Sequence, residues 1–270
     1  MQRFNLITFN IHSDATLFAK MAKFVSKKKR TIVAIQEKPN ASTIKEINDL
    51  NKVTLITDPN NRLVFILPKS LNISQPAKIK KENPSILEKR TLEIDLPLED
   101  SSVKIVNVHA WSRKSNAYKN NANLFSRLNE AYKNYSKKIF LGDFNTNPYE
   151  EYMRLETYIY ADRDFKDVVS STKDILYNPS WRYLRERANY KGSHYFPLEI
   201  PKWNVYDQIL ISKKLAGKVE GVGLGKVYTS YVKLFHIPNR LGKLSFKPVE
   251  SYDSDNHISD HMPVLLTLEM

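Results

Sequence analysis

The chain has 270 residues, no cysteine, 41% hydrophobic and 26% charged residues, and a formal net charge of +13. That balance is globular rather than disordered or fibrous, and the length suffices for a large core. The missing cysteines exclude a disulfide framework, a thiolate zinc site and a cysteine nucleophile, and no apolar stretch approaches the ~18–20 residues that cross a bilayer.

Taken in chain order, Phe4–Phe9 alternates as a strand, and the opening MQRFNLITFN lacks the basic-then-apolar order of a signal peptide; a cytoplasmic chain is expected. Ala15–Ser26 carries Leu17, Met21, Phe24 and Val25 at helical spacing, and Thr31–Gln36 is the continuous apolar run of a buried strand. A helix follows over Ser42–Leu50, with Ser42 or Thr43 as its cap. Strands are then expected at Lys52–Ile56, Arg62–Leu67, Glu88–Ile94 and Val103–Val108. Further on, Asn121–Asn134 has a helical pattern, Lys138–Leu141 is another buried strand, and Glu150–Leu155 is a short helix. Trp181–Arg187 is expected to be a helix, and Val205–Ile211, Val219–Val227 and Pro263–Leu268 to be strands. There is no internal repeat and no linker composition. Strand pairs close enough for hairpins, mixed with helices, imply one domain of two packed sheets with helices outside.

The positive charge favours attraction to polyanions, nucleic acid above all, although a lysine-rich composition that serves solubility has the same balance. Basic clusters stand at Lys27–Arg30, Lys78–Lys81, Arg182–Arg187 and Lys213–Lys218. Each taken alone is more often a solvated face than a binding patch.

More telling are polar residues at the ends of apolar strands. Asn10 ends the first strand, Glu37 follows TIVAIQ, His109 ends KIVNV, and Asp143 and Asn145 follow KIFLG. Asp207 opens DQILIS, and Asp260 and His261 precede MPVLL. Asn, Asp and Glu are poor strand formers, and a buried unpaired carboxylate is costly. Singly, each reads as a cap, a turn former or a salt-bridge partner. As a set in register with strand ends, they are what oxygen ligands gathered round a hard cation would be.

The series TFNIH, IQE, VNVHAW, LGDFNTNP, VYDQILIS and ISDHMPV resembles the endonuclease/exonuclease/phosphatase superfamily. That group includes pancreatic DNase, exonuclease III-type abasic endonucleases, inositol polyphosphate 5-phosphatases, neutral sphingomyelinases and deadenylases. The motifs occur in the family's order from Asn10 to His261, and GDFN with SDHxPV is the specific combination. The resemblance implies a four-layer sandwich of two packed mixed β-sheets flanked by helices. It also implies that Glu37, with Asn10 and Asp260, holds a Mg²⁺ or Mn²⁺ ion. In the implied chemistry, Asp143 orients and deprotonates a water for in-line attack on phosphorus, and Asn145 binds a phosphate oxygen. His261, oriented by Asp207, donates to the scissile phosphate, and His109 contacts the phosphate or assists the leaving oxygen.

Two departures stand out. The abasic endonucleases carry an acid two residues after the first Asn, where this chain has His12, which either tunes the metal site or points to solvent. They also carry a tyrosine-proline pair where this chain has Ala110 and Trp111 after His109. Both weigh against an abasic-site enzyme.

The segment 177–203 interleaves Trp181, Tyr183, Tyr190, Tyr195 and Phe196 with Arg182, Arg185, Arg187 and Lys191. Such interleaving stacks bases and neutralises phosphates in single-strand binders; alternatively it is a helix with its aromatic face on the core. Trp181, Arg182, Arg185, Tyr195 and Arg113 are the candidate substrate contacts. A nuclease, probed first with DNA, is the leading expectation. A phosphatase or phosphodiesterase on small metabolites or lipid headgroups is second, and an inactive nucleic-acid-binding module third. A free nuclease of this charge would be toxic, so restraint by a regulatory protein partner is also expected.

Overall fold

The structure is a computed structural model that describes residues 2–50, 53–58, 62–71, 73, 86–98, 101–184, 192–195, 203–224, 226–227, 232–233 and 261–270. The strands of the first half are β1 (Arg3–Asn10), β2 (Thr31–Gln36), β3 (Val53–Thr57), β4 (Leu63–Pro68), β5 (Thr91–Leu98), β6 (Ser101–His109) and β7 (Lys138–Asp143). Four short ones follow: β8 (Ala161–Asp162), β9 (Leu176–Tyr177), β10 (His194–Tyr195) and β11 (Trp203–Asn204). The last are β12 (Asp207–Ser212), β13 (Val219–Leu224), β14 (Lys226–Val227), β15 (Val232–Lys233) and β16 (Val264–Glu269).

Two six-stranded sheets carry the architecture, ordered β13-β16-β1-β2-β4-β3 and β5-β6-β7-β12-β9-β8. Both are mixed: β1 pairs β2 in parallel and β16 antiparallel, while β6 pairs β7 in parallel and β12 runs antiparallel to β7. Their central strands are buried on both faces, which explains the unbroken apolar runs of TIVAIQ and LVFILP. Between the sheets lies one apolar layer that includes Leu6, Phe65, Ile105, Leu141, Ile209 and Leu266.

Helix α1 (Ala15–Ser26) covers the first sheet's outer face, burying Leu17, Phe18, Met21, Ala22 and Val25. Asp14 caps it, its side chain accepting from Leu17 N at 2.7 Å. Helix α2 (Ala41–Leu50) adds Ile44 and Ile47 to the same layer. On the second sheet, α4 (Asn121–Tyr132) buries Leu124, Phe125 and Leu128 against Phe140 and Phe144. The four layers match the expected sandwich.

Departures from the sequence expectation begin at Glu88. The start of the expected strand Glu88–Ile94 is instead helix α3 (Ile86–Arg90), and pairing begins at Thr91. Thr91 Oγ1 donates to Leu87 O at 2.7 Å, and Arg90 stacks 4.3 Å from the Trp111 ring. These local contacts hold the turn. Of the short helices, α5 (Glu151–Arg154) packs Met153 on the outer side of the second sheet, while α6 (Phe165–Ser170) and α7 (Lys213–Ala216) add Val168, Leu215 and Ala216 to the layer between the sheets. Over Trp181–Arg187 the described part is a 3-10 turn, Pro179–Leu184, and the remainder lies outside the described residues.

A buried polar network joins the two sheets near the end where the motif residues lie. Gln36 Nε2 donates to Asn107 Oδ1 at 2.6 Å and to Thr8 Oγ1 at 3.0 Å, and Asn107 Nδ2 donates to Ile35 O at 3.0 Å. Satisfied networks of this kind fix register, because any slip would orphan buried groups.

Candidate active site

The topology gathers the motif residues at one end of both sheets. The parallel pairs end together, Asn10 beside Gln36 and His109 beside Asp143, while Asp207 lies opposite Asp143 on the antiparallel strand. His261 precedes β16, which is antiparallel to β1, and so returns to the same end.

The centre is a shared amide. Asn10 Nδ2 donates to Asp143 Oδ2 at 3.1 Å and lies 3.3 Å from Glu37 Oε1, so two carboxylates converge on one NH₂ group. His109 Nε2 stands 3.8 Å from Glu37 Oε1 and 3.9 Å from Asp143 Oδ2. His261 Nε2 is 3.9 Å from the same Asp143 oxygen, and its Nδ1 pairs with Asp207 Oδ2 at 2.8 Å. Asp143 Oδ1 is taken by the backbone N–H of Asn145 at 2.9 Å, whose own amide donates to Ala110 O at 3.1 Å.

Backbone strain concentrates here. Among the described residues, the non-glycine residues with positive φ are His12 (49°), Ser13 (61°), Glu37 (54°) and Asn145 (49°), all within or beside this constellation. A left-handed backbone is disfavoured for side chains with a Cβ, and it persists where surrounding contacts over-determine it, as at functional sites. Asn121 supports the loop after His109 with two 2.9 Å bonds, accepting from Trp111 N and donating to Trp111 O.

The electrostatics follow from burial and neighbours. Burial alone would raise the Asp143 carboxyl, but His261, His109 and the Asn10 amide outweigh it and hold the group below its ordinary value. Burial pushes Asp207 up, with its pairing to His261 pulling the other way; its Oδ1 has no hydrogen-bond partner among the described residues. Burial lowers His109, against the pull of Asp143 and Glu37, so its neutral form is favoured in this structure.

Two donor sets differ in what they suit. Ligand atoms of Asp143, Asp207 and His261 lie within 4.8 Å of one another. The short His261–Asp207 bond engages Nδ1, which suits a proton-handling dyad better than an ion. Glu37 and Asp143 are hard donors drawn to the Asn10 NH₂ group, and the Asn10 oxygen, which accepts from His12 N at 3.1 Å, keeps a second lone pair; hard oxygens of this kind fit a divalent cation such as Mg²⁺ or Mn²⁺.

The cleft over this constellation is lined by Asn10, Glu37, His109, Asp143, Asn145 and His261, together with His12, Arg113, Lys114 and His194. Of the expected substrate contacts, Arg113 lines it, paired with Glu150 and packed near the rings of Tyr118 and Tyr206. Trp181 is not among the lining residues; its ring meets Tyr149 at 6.3 Å and lies 5.3 Å from the Arg163 guanidinium. Arg182 falls in the 3-10 turn and Tyr195 in β10. Asp260 and Arg185 lie outside the described residues.

Two neighbours carried no signal in the sequence. Arg62 donates to Glu37 Oε2 at 3.1 Å and to Ser13 Oγ at 2.7 Å. His194 stacks on Tyr206 at 5.0 Å and tilts against His261 at 4.5 Å. A short-range motif signal exists for neither of them, because strand pairing brings each in from a distant segment.

No family model matches the chain, and no curated protein matches it in sequence. Solved structures do. D. rerio TDP2 is similar in a form humanized by 14 mutations, with 12% identity over 99% of each chain and a TM-score of 0.61. It is similar again in complex with a single-strand DNA product, with 13% identity over 100% of each chain and a TM-score of 0.59. The endonuclease domain of TRAS1, a telomere-specific non-LTR retrotransposon, shares 11% identity over 99% of each chain, with a TM-score of 0.55. An endonuclease/exonuclease/phosphatase family protein from Bacteroides thetaiotaomicron shares 12% identity over 99% of this chain and 98% of its own, also at 0.55. The chain therefore has the endonuclease/exonuclease/phosphatase, or DNase I-like, fold.

Proposed function

We propose that this chain, working as a single domain, is a divalent-metal-dependent phosphodiesterase that hydrolyses nucleic-acid backbone. The observation that carries the reading is the Asn10 amide joining Glu37 to Asp143, with His109 and the His261–Asp207 pair turned on the same carboxylate. The fold's likeness to TDP2 bound to single-strand DNA and to the TRAS1 endonuclease domain supports a nucleic-acid substrate, as does the net charge of +13.

Glu37 and Asn10 would hold Mg²⁺ or Mn²⁺, with Asp260 as the third expected ligand. When bound, the ion would supply Lewis-acid polarisation of a phosphoryl oxygen. Asp143 stays ionised, so it orients the attacking water through Oδ2 and receives its proton as the oxygen–phosphorus bond forms. His261 keeps Nδ1 on Asp207 and presents Nε2 to the phosphate, and Asn145 stands beside Asp143 to receive a phosphate oxygen. The bond to the leaving oxygen breaks on the opposite side, and that oxygen takes up a proton from water, with neutral His109 placed to hydrogen-bond the phosphate.

The test incubates purified protein with labelled single- and double-stranded DNA and RNA, with Mg²⁺, Mn²⁺ or EDTA, beside Asp143→Ala and His261→Ala. Metal-dependent cleavage lost in both variants is expected. Cleavage that survives in His261→Ala at full turnover would remove that residue from the mechanism. Absence of cleavage of every polymer, with hydrolysis of a small phosphoester, would move the substrate class to metabolites.

A further inference from the structure

The loop after β1 folds back on itself at residue 12. His12 N donates to Asn10 Oδ1 at 3.1 Å, and both His12 and Ser13 are left-handed. Glu37, one strand over, is left-handed as well, and Ser13 N donates to Glu37 O at 2.8 Å. Two strained turns are thus tied to each other, and the result is that His12 Nδ1 stands 3.8 Å from Glu37 Oε2. His12 is half-exposed on the cleft wall, with its ring 5.7 Å from that of His261.

The spacing has chemical content. Two donors each about 2.1 Å from one ion stand about 3.0 Å apart at a right angle and about 4.2 Å apart on opposite sides. The His12–Glu37 separation falls inside that window. Arg62 also reaches Glu37 Oε2, but a carboxylate oxygen has a second lone pair to offer. Imidazole nitrogen suits first-row transition ions, Zn²⁺, Cu²⁺, Ni²⁺ and Fe²⁺ above all and Mn²⁺ least, whereas Mg²⁺ takes carboxylate, carbonyl and water oxygens.

We infer that His12 is a nitrogen ligand of the divalent ion, which makes this centre prefer Mn²⁺, or a softer first-row divalent ion, over Mg²⁺. The inference rests on the metal reading of the same site and adds to it the identity of the ion. His12 takes the place where the resembling abasic endonucleases carry an oxygen donor. The exchange of oxygen for nitrogen changes selectivity while leaving the Asp143–His261 machinery in place.

The experiment is pulsed electron paramagnetic resonance on the full chain loaded with Mn²⁺, with Mn²⁺ and Mg²⁺ affinities measured by titration calorimetry. Wild type should show echo modulation from a directly bound imidazole ¹⁴N. His12→Asn tolerates the left-handed backbone, so it should fold, lose that modulation and bind Mn²⁺ about tenfold more weakly or worse, the size that even outer partners of a metal command. Its Mg²⁺ affinity should change far less. His12→Asp should restore binding without the modulation and shift preference toward Mg²⁺, while His109→Gln should keep the signal. Equal modulation in wild type and His12→Asn overturns the inference and leaves the metal reading standing. Binding of neither ion by folded wild-type protein overturns both.

Discussion

Gly142 sets how closely the strands that carry His109 and Asp143 approach. It pairs with Val108 in the parallel register that places His109 beside Asp143, and its φ is +153°. A Cβ built there would stand 1.9 Å from Val108 O and 2.7 Å from Val108 C, where ordinary contact begins at 3.4 Å. Gly142→Ala therefore requires the two backbones to part by roughly 1.5 Å, since both clashing atoms are main chain and no rotamer relieves them. Overpacking costs about 1–3 kcal/mol, and a Gly-only backbone region about 1–3 kcal/mol more. Together they make about 2–6 kcal/mol, a large share of the about 5–15 kcal/mol that typically separates folded from unfolded chains. Urea unfolding followed by circular dichroism should show the midpoint falling with the slope unchanged. A variant with the wild-type midpoint would refute the steric argument, and with it the claim that this contact spaces the site.

Other perturbations read other parts of the argument. Asn107→Ala breaks the network between the sheets, leaving Ile35 O without that donor and Gln36 without that acceptor; a loss of about 1–3 kcal/mol is expected in urea melts. In metal-free protein, burial keeps His109 below the histidine range of the unfolded chain, about pH 6.5. The unfolded state then binds the extra proton first, so stability holds above about pH 6.5 and falls as pH drops from there toward the lowered value; His109→Gln should flatten that slope. Arg113→Ala should weaken nucleic-acid binding and reduce the dependence of log K on log salt by about 0.7–0.9, the effect of one phosphate contact; an unchanged slope would leave Arg113 to Glu150 alone. Glu37→Asn should abolish metal binding in calorimetry yet leave the melting temperature of metal-free protein unchanged or higher, because Asn accepts a left-handed backbone more readily than Glu does.

The sheets were legible because their central strands are buried on both faces and so appear as apolar runs, as TIVAIQ and LVFILP do. The convergence at the strand ends was legible for a related reason: Asn10, Glu37, His109, Asp143 and Asp207 interrupt or end those runs with residue types that a strand end does not need. The helix Ile86–Arg90 was not legible, since its residues have no amphipathic repeat long enough to separate it from the strand that follows. Arg62 and His194 were hidden for a different reason. An arginine opening a strand and a histidine among aromatics look ordinary locally, and only the strand order sets the first on Glu37 and the second against His261.

Cost argues for function where resemblance ends. A chain optimised for stability alone would not gather two carboxylates on one amide, leave Asp207 Oδ1 buried without a partner among the described residues, and hold Glu37 in a left-handed conformation. The unpartnered Asp207 oxygen and the left-handed Glu37 backbone each oppose folding by about 1 kcal/mol or more. They occur together at one end of both sheets, above a core whose other polar groups, Gln36, Asn107 and Thr8, are mutually satisfied. The stable network lies directly beneath the strained site and holds its strands in register. That arrangement holds the Glu37 and Asp143 carboxylates convergent on one amide in the cleft.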